Sequence, residues 1–170
     1  MSATTRDIFG DAGGAQPAVH GSYGEAPRAG RLPDATTLGR VRLMIANMDR
    51  SLSYYQAVLG LRVLHHDGAR AELAAHGDDR VRVELNEYPG AKPVSPRGHI
   101  GLFHFAILLP DRASLGRFVR HLGEIGVHPG AGDHLVSEAF YLNDPDGLGI
   151  EIYADRPRDT WRRIGRELMM

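Results

Sequence analysis

The residues with the most chemistry to offer stand between Gly132 and Glu151. They run Gly132-Asp133-His134, then Phe140-Tyr141, then Asp144-Pro145-Asp146-Gly147, then Glu151. An imidazole and a phenol hydroxyl can move protons and steady developing charge. Imidazole nitrogens and carboxylate oxygens are donors for divalent metals. The chain carries nine histidines, 21 acidic residues and no cysteine. That mixture suits hard or borderline metals bound through N and O. It also excludes disulfides, thiolate metal sites and a cysteine nucleophile. The Asp144-Pro145-Asp146-Gly147 stretch is first of all a turn between two strands, because Pro fixes φ and Gly supplies the open conformation.

The elements that must carry these residues follow from periodicity. Residues 1–36 are rich in Gly, Pro, Ala and Ser and show no apolar period, so they read as a disordered or draped arm, or as a cover for a partner subunit. Val41, Leu43 and Ile45 alternate with polar neighbours as in a strand. Asn47 can cap a helix whose apolar face is Met48, Leu52, Tyr55 and Leu59, and Gly60 ends it. Strands are predicted over Arg62 to His66, Arg70 to Ala75 and Arg80 to Glu87. The stretch Tyr88 to Gly98, broken by Pro and Gly, reads as a linker. The pattern then restarts. A strand over Leu102 to Leu109 leads to Asp111 as a cap, then to a helix with Leu115, Phe118, Val119, Leu122 and Ile125 on one face, closed by Gly126. Short strands near Val127, over Glu138 to Leu142 and over Gly149 to Tyr153 complete it. Trp161, Ile164 and Leu168 share helical spacing, which predicts a C-terminal helix over 158–170 after a domain spanning 37–157.

The order β-α-β-β-β therefore occurs twice, and the halves match weakly in sequence. Asn47-Met48-Asp49-Arg50-Ser51-Leu52 stands opposite Asp111-Arg112-Ala113-Ser114-Leu115, Tyr55 opposite Phe118, and Leu59 opposite Leu122. The expectation is an α+β fold of two tandem βαβββ half-repeats forming a curled mixed sheet around a cavity. Aligning the halves sets Arg40 opposite His104 and Glu84 opposite Glu151. One histidine and two carboxylates in a shared cavity could bind Fe(II), Mn(II), Ni(II) or Zn(II). Arg40 cannot ligate a cation, since its guanidinium has no lone pair to offer. It can face a substrate, or form an ion pair with the carboxylates and take a metal's place. His104 also fits a structural role, and Glu84 and Glu151 also fit solvent-facing positions.

The whole array from Gly132 to Glu151 resembles the extradiol ring-cleavage dioxygenase motif at every fixed position. Phe103-His104-Phe105-Ala106-Ile107-Leu108-Leu109-Pro110 and Gly149-Ile150-Glu151-Ile152-Tyr153-Ala154-Asp155-Arg156-Pro157 resemble the first module of bacterial catechol-2,3-dioxygenases. These belong to the vicinal oxygen chelate superfamily, with the glyoxalases and bleomycin resistance proteins. The resemblance covers about Leu38 to Trp161. It implies Glu151 and His104 as metal ligands, His134 and Tyr141 as catalytic groups beside bound substrate, and Fe(II) as cofactor. It further implies a small catechol-type aromatic and O2 as reactants, and a homodimer. Two features depart from the family. The remaining histidine ligand belongs on the first strand, where this chain has Arg40; Glu84 would then complete a one-His-two-Glu set of the glyoxalase kind. The family also carries two modules where this chain has one, as a non-catalytic half or a truncated product would.

Three readings therefore stand: an extradiol-type oxygenase, a metal-free small-molecule-binding module, and a glyoxalase-like lyase using His104, Glu84 and Glu151. A formal net charge of -1 gives no reason to expect nucleic acid or an anionic membrane surface as partner. The longest apolar run, Phe103 to Pro110, is far too short to span a bilayer, and the N-terminus lacks a signal pattern. A cytoplasmic location is the expectation.

Overall fold

Two short polar side chains start the two α-helices of the described residues. Asn47 accepts a hydrogen bond from the Arg50 N–H at 2.8 Å, and Asp111 from the Ser114 N–H at 2.7 Å. Each satisfies an otherwise orphaned first-turn donor, which is worth about 1 kcal/mol. The computed structural model describes residues 14–25, 29–92 and 101–170. Its first half is β2 (Val41–Ile45), α1 (Met48–Ala57), β3 (Arg62–His66), β4 (Arg70–Ala74) and β5 (Val83–Glu87), preceded by a short β1 (Gln16–Pro17). Its second half is β6 (His104–Leu108), α2 (Arg112–Glu124), β7 (Gly130–Asp133), β8 (Ser137–Asn143) and β9 (Gly149–Asp155). β10 (Arg162–Ile164) and β11 (Glu167–Leu168) close the described chain.

The two halves have one topology. Their sheets run β2-β5-β4-β3 and β6-β9-β8-β7. In each, the first strand pairs parallel with the last and the other pairings are antiparallel. The fold class is the α+β tandem repeat that the sequence implies. Alternation decides which face is covered. Leu43 and Ile45 on β2, Val83 and Leu85 on β5, and Ile150 and Ile152 on β9 are buried in one core with Tyr55 and Leu122 of the helices. Burying each such aliphatic side chain contributes about 1.5–3 kcal/mol. The intervening positions, Arg42 and Glu84, and Glu151 and Tyr153, fall on the opposite face.

The Asp-Pro-Asp-Gly turn joins the halves as well as reversing the chain. Asp144 accepts the Asp146 and Leu148 N–H groups, each at 2.9 Å, and the Tyr55 hydroxyl at 3.0 Å. Asp146 accepts the Ala46 N–H at 2.9 Å and pairs with Arg50. Both aspartates are buried; Asp146 satisfies donors around the start of α1, and Asp144 takes the hydroxyl of Tyr55 nearer its end.

Two expectations are corrected. The C-terminal helix is absent: Arg158–Thr160 is a single 3-10 turn, and 162–168 is the β10–β11 hairpin. Gly165, at φ 59°, makes the tight turn that a helix would not allow. Trp161 is buried against Ala18 and Val136, so its apolar character serves that cluster. The arm is held where described: β1 pairs with β10, and Ala18 donates to the Trp161 carbonyl at 2.9 Å. Residues 1–13 and 26–28 lie outside the described residues, as do 93–100 of the linker. Finally, the strand near Val127 begins at Gly130.

Candidate functional site

Register fixes the correspondence between the halves. Glu84 faces Arg42 on β2 and Glu72 on β4, while Glu151 faces Ala106 on β6 and Tyr141 on β8. Two residues before Arg42 and Ala106 stand Arg40 and His104. Arg40, Glu72 and Glu84 therefore occupy in the first half the places of His104, Tyr141 and Glu151 in the second.

The second half assembles the residues singled out from the sequence into one hydrogen-bonded line. His134 Nε2 lies 2.6 Å from the Tyr141 hydroxyl. That hydroxyl donates to Glu151 Oε1 at 3.2 Å. Glu151 Oε2 lies 3.2 Å from His104 Nε2. Tyr141 has a single hydroxyl hydrogen, and with that directed to Glu151, His134 must donate from Nε2. Burial, and then the charge and hydrogen bond of Glu151, push the Tyr141 phenol above its ordinary value, so it stays a neutral donor. Glu151 is 15% exposed at its side chain and His104 37%, so the line runs from a covered carboxylate toward solvent.

His134 is held by a braced turn. Leu135 has φ 62°, the one left-handed conformation at a non-glycine among the described residues. Such a conformation costs about 1–3 kcal/mol and persists only where the surroundings over-determine it. Here Leu135 N–H donates to Asp133 at 2.8 Å, and its carbonyl accepts from Arg156 at 3.1 Å. Arg156 also binds Asp133 at 2.8 Å, and the Trp161 indole N–H donates to the Arg156 carbonyl at 3.1 Å.

The first half is built differently. Arg40 Nε lies 2.9 Å from Glu84, and Arg40 Nη1 lies 3.0 Å from Glu72. Arg70 adds a contact to Glu84 at 3.0 Å and another to Glu72, and Arg42 approaches Glu84 at 3.5 Å. Burial alone would raise the Glu84 carboxyl. Hydrogen bonds from Arg70 and Asn86 and the charges of Arg40 and Arg42 outweigh it and hold Glu84 below its ordinary value. Glu84 is thus engaged by arginines and is not gathered with His104 and Glu151. Among the described residues no three His, Cys, Asp or Glu side chains come together as a metal-holding group. Arg40, expected toward substrate, has its guanidinium committed to carboxylates.

Sequence reasoning missed Glu72, although the repeat that aligned Glu84 with Glu151 also aligns Glu72 with Tyr141. It read Asp144 and Asp146 only as turn residues. A cleft of about 430 Å³ lies between α2 and β7–β8, bordered by Arg112, Leu115, Val119 and Phe140. It shares Gly132 and Asp133 with the strand below His134, but none of His104, Tyr141 and Glu151 lines it. The hydrogen-bonded line lies apart from the residues that border this cleft.

His104 Nε2 and Glu151 Oε2 are two donors that a divalent cation could take. Ligands at about 2.1 Å on adjacent positions of a small divalent cation lie about 3 Å apart, close to the His104–Glu151 separation. The third position that pseudosymmetry offers holds Arg40, which cannot ligate. The chain's residues fit a cation held by two protein ligands, and do not fit a three-ligand set.

Residues 37–152 match the model of the Glyoxalase/Bleomycin resistance protein/Dioxygenase superfamily, and the chain belongs to that superfamily. It is 52% identical over 128 residues to a catechol-2,3-dioxygenase of Bacillus subtilis (strain 168), a match covering 75% of this chain and 45% of that protein. The chain thus spans less than half the length of that relative. A glyoxalase/dioxygenase from Nostoc punctiforme shares the fold at a TM-score of 0.62 and 21% identity, over 78% of this chain and 100% of that one. A glyoxylase/bleomycin resistance protein/dioxygenase domain from Frankia sp. EAN1pec does so at 0.61 and 17%, over 72% and 94%. No helix among the described residues is long and apolar enough to cross a membrane.

Proposed function

We propose that the chain performs, or forms part of an enzyme that performs, extradiol-type ring cleavage of a catechol-like aromatic with O2. The observation that carries this reading is the line His134–Tyr141–Glu151–His104, because it joins a proton-moving pair to a metal-ligand pair. The relative named a catechol-2,3-dioxygenase supports the same substrate class. His104 and Glu151 would hold a divalent cation, Fe(II) in this reading, which when bound supplies a Lewis acid that draws catechol oxygens and O2 together.

The chain's own residues supply the rest. A catechol must lose protons to become a good reductant. His134 can accept at one ring nitrogen while donating at the other, so it serves as proton carrier. Tyr141 is kept neutral by burial and by Glu151, and can turn its one hydroxyl hydrogen from Glu151 to negative charge developing on an oxygen beside it. Until then Glu151 accepts that hydrogen and so sets the donor pattern along the line.

Oxygen uptake tests the reading. Protein loaded anaerobically with Fe(II) and then given catechol and air should consume O2. His134→Ala and Tyr141→Phe should lower kcat by about 10²–10⁴ while leaving bound iron unchanged. No O2 uptake on any simple catechol, together with no Fe(II) bound by the chain, would overturn it.

Arg40 favours a second reading, a metal-free small-molecule module, because its ion pairs with Glu84 and Glu72 fill the place of a ligand. Catechol binding of equal strength with and without Fe(II), seen by calorimetry, would select that reading.

A further inference from the structure

We infer that Gly132 and Gly149 are positioning residues that exist as glycines to let the candidate reactive side chains close on one another; the inference rests on the reading of His134, Tyr141 and His104 as the reactive group. Neither glycine has a left-handed backbone, so conformation does not require glycine at either place. Space does. A Cβ on Gly132 would lie 3.1 Å from Tyr141 Cε2 and 3.3 Å from His134 Nε2. A Cβ on Gly149 would lie 2.8 Å from the Phe103 carbonyl oxygen and 2.9 Å from His104 Cβ. Of the glycines whose surroundings are described, these two alone would bring a Cβ inside 3.4 Å of anything, and both press on the candidate site.

The geometry explains how. Gly149 is the β9 residue directly opposite His104, so its bare backbone lets the first residue of β6 sit flat against the last strand of the sheet. Gly132 lies on β7, opposite Ala139. Its missing side chain leaves the gap in which the Tyr141 ring edge and the His134 imidazole meet. A methyl there acts as a wedge between the partners of the 2.6 Å contact. Gly130, two residues earlier on the same strand and the same face, is a control built into the fold. Its Cβ would meet only Tyr141 Cβ at 3.7 Å and the Tyr141 carbonyl at 3.9 Å, ordinary contacts.

Strand glycines are also poor for stability, because they lose more chain entropy on folding than alanine does. Gly130→Ala and Gly132→Ala should therefore share any backbone gain, and only the second should disturb the site. This separates positioning from folding.

The test compares Gly132→Ala with Gly130→Ala in the full chain. First, NMR of the metal-free proteins records the ring signals of His134 at one pH. Gly132→Ala should shift those signals, and Gly130→Ala should superimpose on the parent. Second, iron-loaded turnover should fall by about 10- to 100-fold in kcat for Gly132→Ala, with KM little changed and Gly130→Ala within about twofold of the parent. His134 signals that are unmoved in Gly132→Ala, or moved equally in both variants, would overturn the inference. A His134 shift confined to Gly132→Ala, in a protein whose parent turns over no catechol, would uphold the positioning and reject the proposed activity.

Discussion

Arg40 and His104 are counterparts across the internal repeat, and each reaches the glutamate of its own sheet: Arg40 Nε to Glu84 at 2.9 Å, His104 Nε2 to Glu151 at 3.2 Å. One fold thus carries two versions of the same strand pair. In the second half the pair is two lone-pair donors. In the first, a guanidinium faces a carboxylate and no cation can be shared. The proposed function turns on this asymmetry.

Restoring the symmetry should restore a ligand. Arg40→His should raise Fe(II) affinity by at least the roughly 10- to 100-fold that losing an outer-shell partner typically costs. Equilibrium dialysis with metal analysis measures it. Equal affinity in parent and variant would mean that the position does not reach the cation.

Acid should reveal the arginine-held carboxylate. Glu84 is depressed in the folded chain below its ordinary value of 4.5. The stability it confers is therefore complete above that value and is lost as pH falls through the lower folded value. Urea midpoints recorded from pH 7 down to pH 3 should fall more steeply for the parent than for Glu84→Gln, which should be less stable at neutral pH.

Alkali should act on the clamp between the halves. Burial, and then the charge and hydrogen bond of Asp144, raise the Tyr55 phenol far above its ordinary value of 10.0. Its contribution is thus complete below that value and lost as pH rises beyond it. Tyr55→Phe should cost about 1–3 kcal/mol at neutral pH by leaving a buried carboxylate oxygen short of a donor. It should also flatten the alkaline limb, as chemical denaturation at pH 8 to 11 would show.

Trp161 ties the chain's two ends to the turn that holds His134. Trp161→Ala should destabilise by about 3–5 kcal/mol and speed amide exchange at Leu135 and Val136 more than at Leu73 or Ile150 in the central core. Exchange unchanged at Leu135 and Val136 would detach the cluster from the turn.

Much of this was legible from residues alone. Asn47 and Asp111 announced α1 and α2, because a cap is a local event between a side chain and the next turn. The alternation on β2 and β9 announced their strands. The array from His134 to Glu151 named residues that do meet, since β8 and β9 are neighbours joined by a tight turn and their register follows from it. The rest depended on distant partners. Trp161, Ile164 and Leu168 have helical spacing, yet Trp161 is buried by Ala18 from the far end of the chain, and Gly165 turns a hairpin. Gly130–Asp133 has no apolar pattern and is a strand only through its pairing with β8. Glu84 looked like a third ligand until the structure placed Arg40, Arg42 and Arg70 around it.

Metal titration of two variants tests the central assignment most directly. His104→Ala and Glu84→Gln are each titrated anaerobically with Fe(II) beside the parent. The account predicts that His104→Ala loses binding and that Glu84→Gln keeps it within about threefold, less than a ligand's loss would cost. Binding that survives in His104→Ala and vanishes in Glu84→Gln would contradict it.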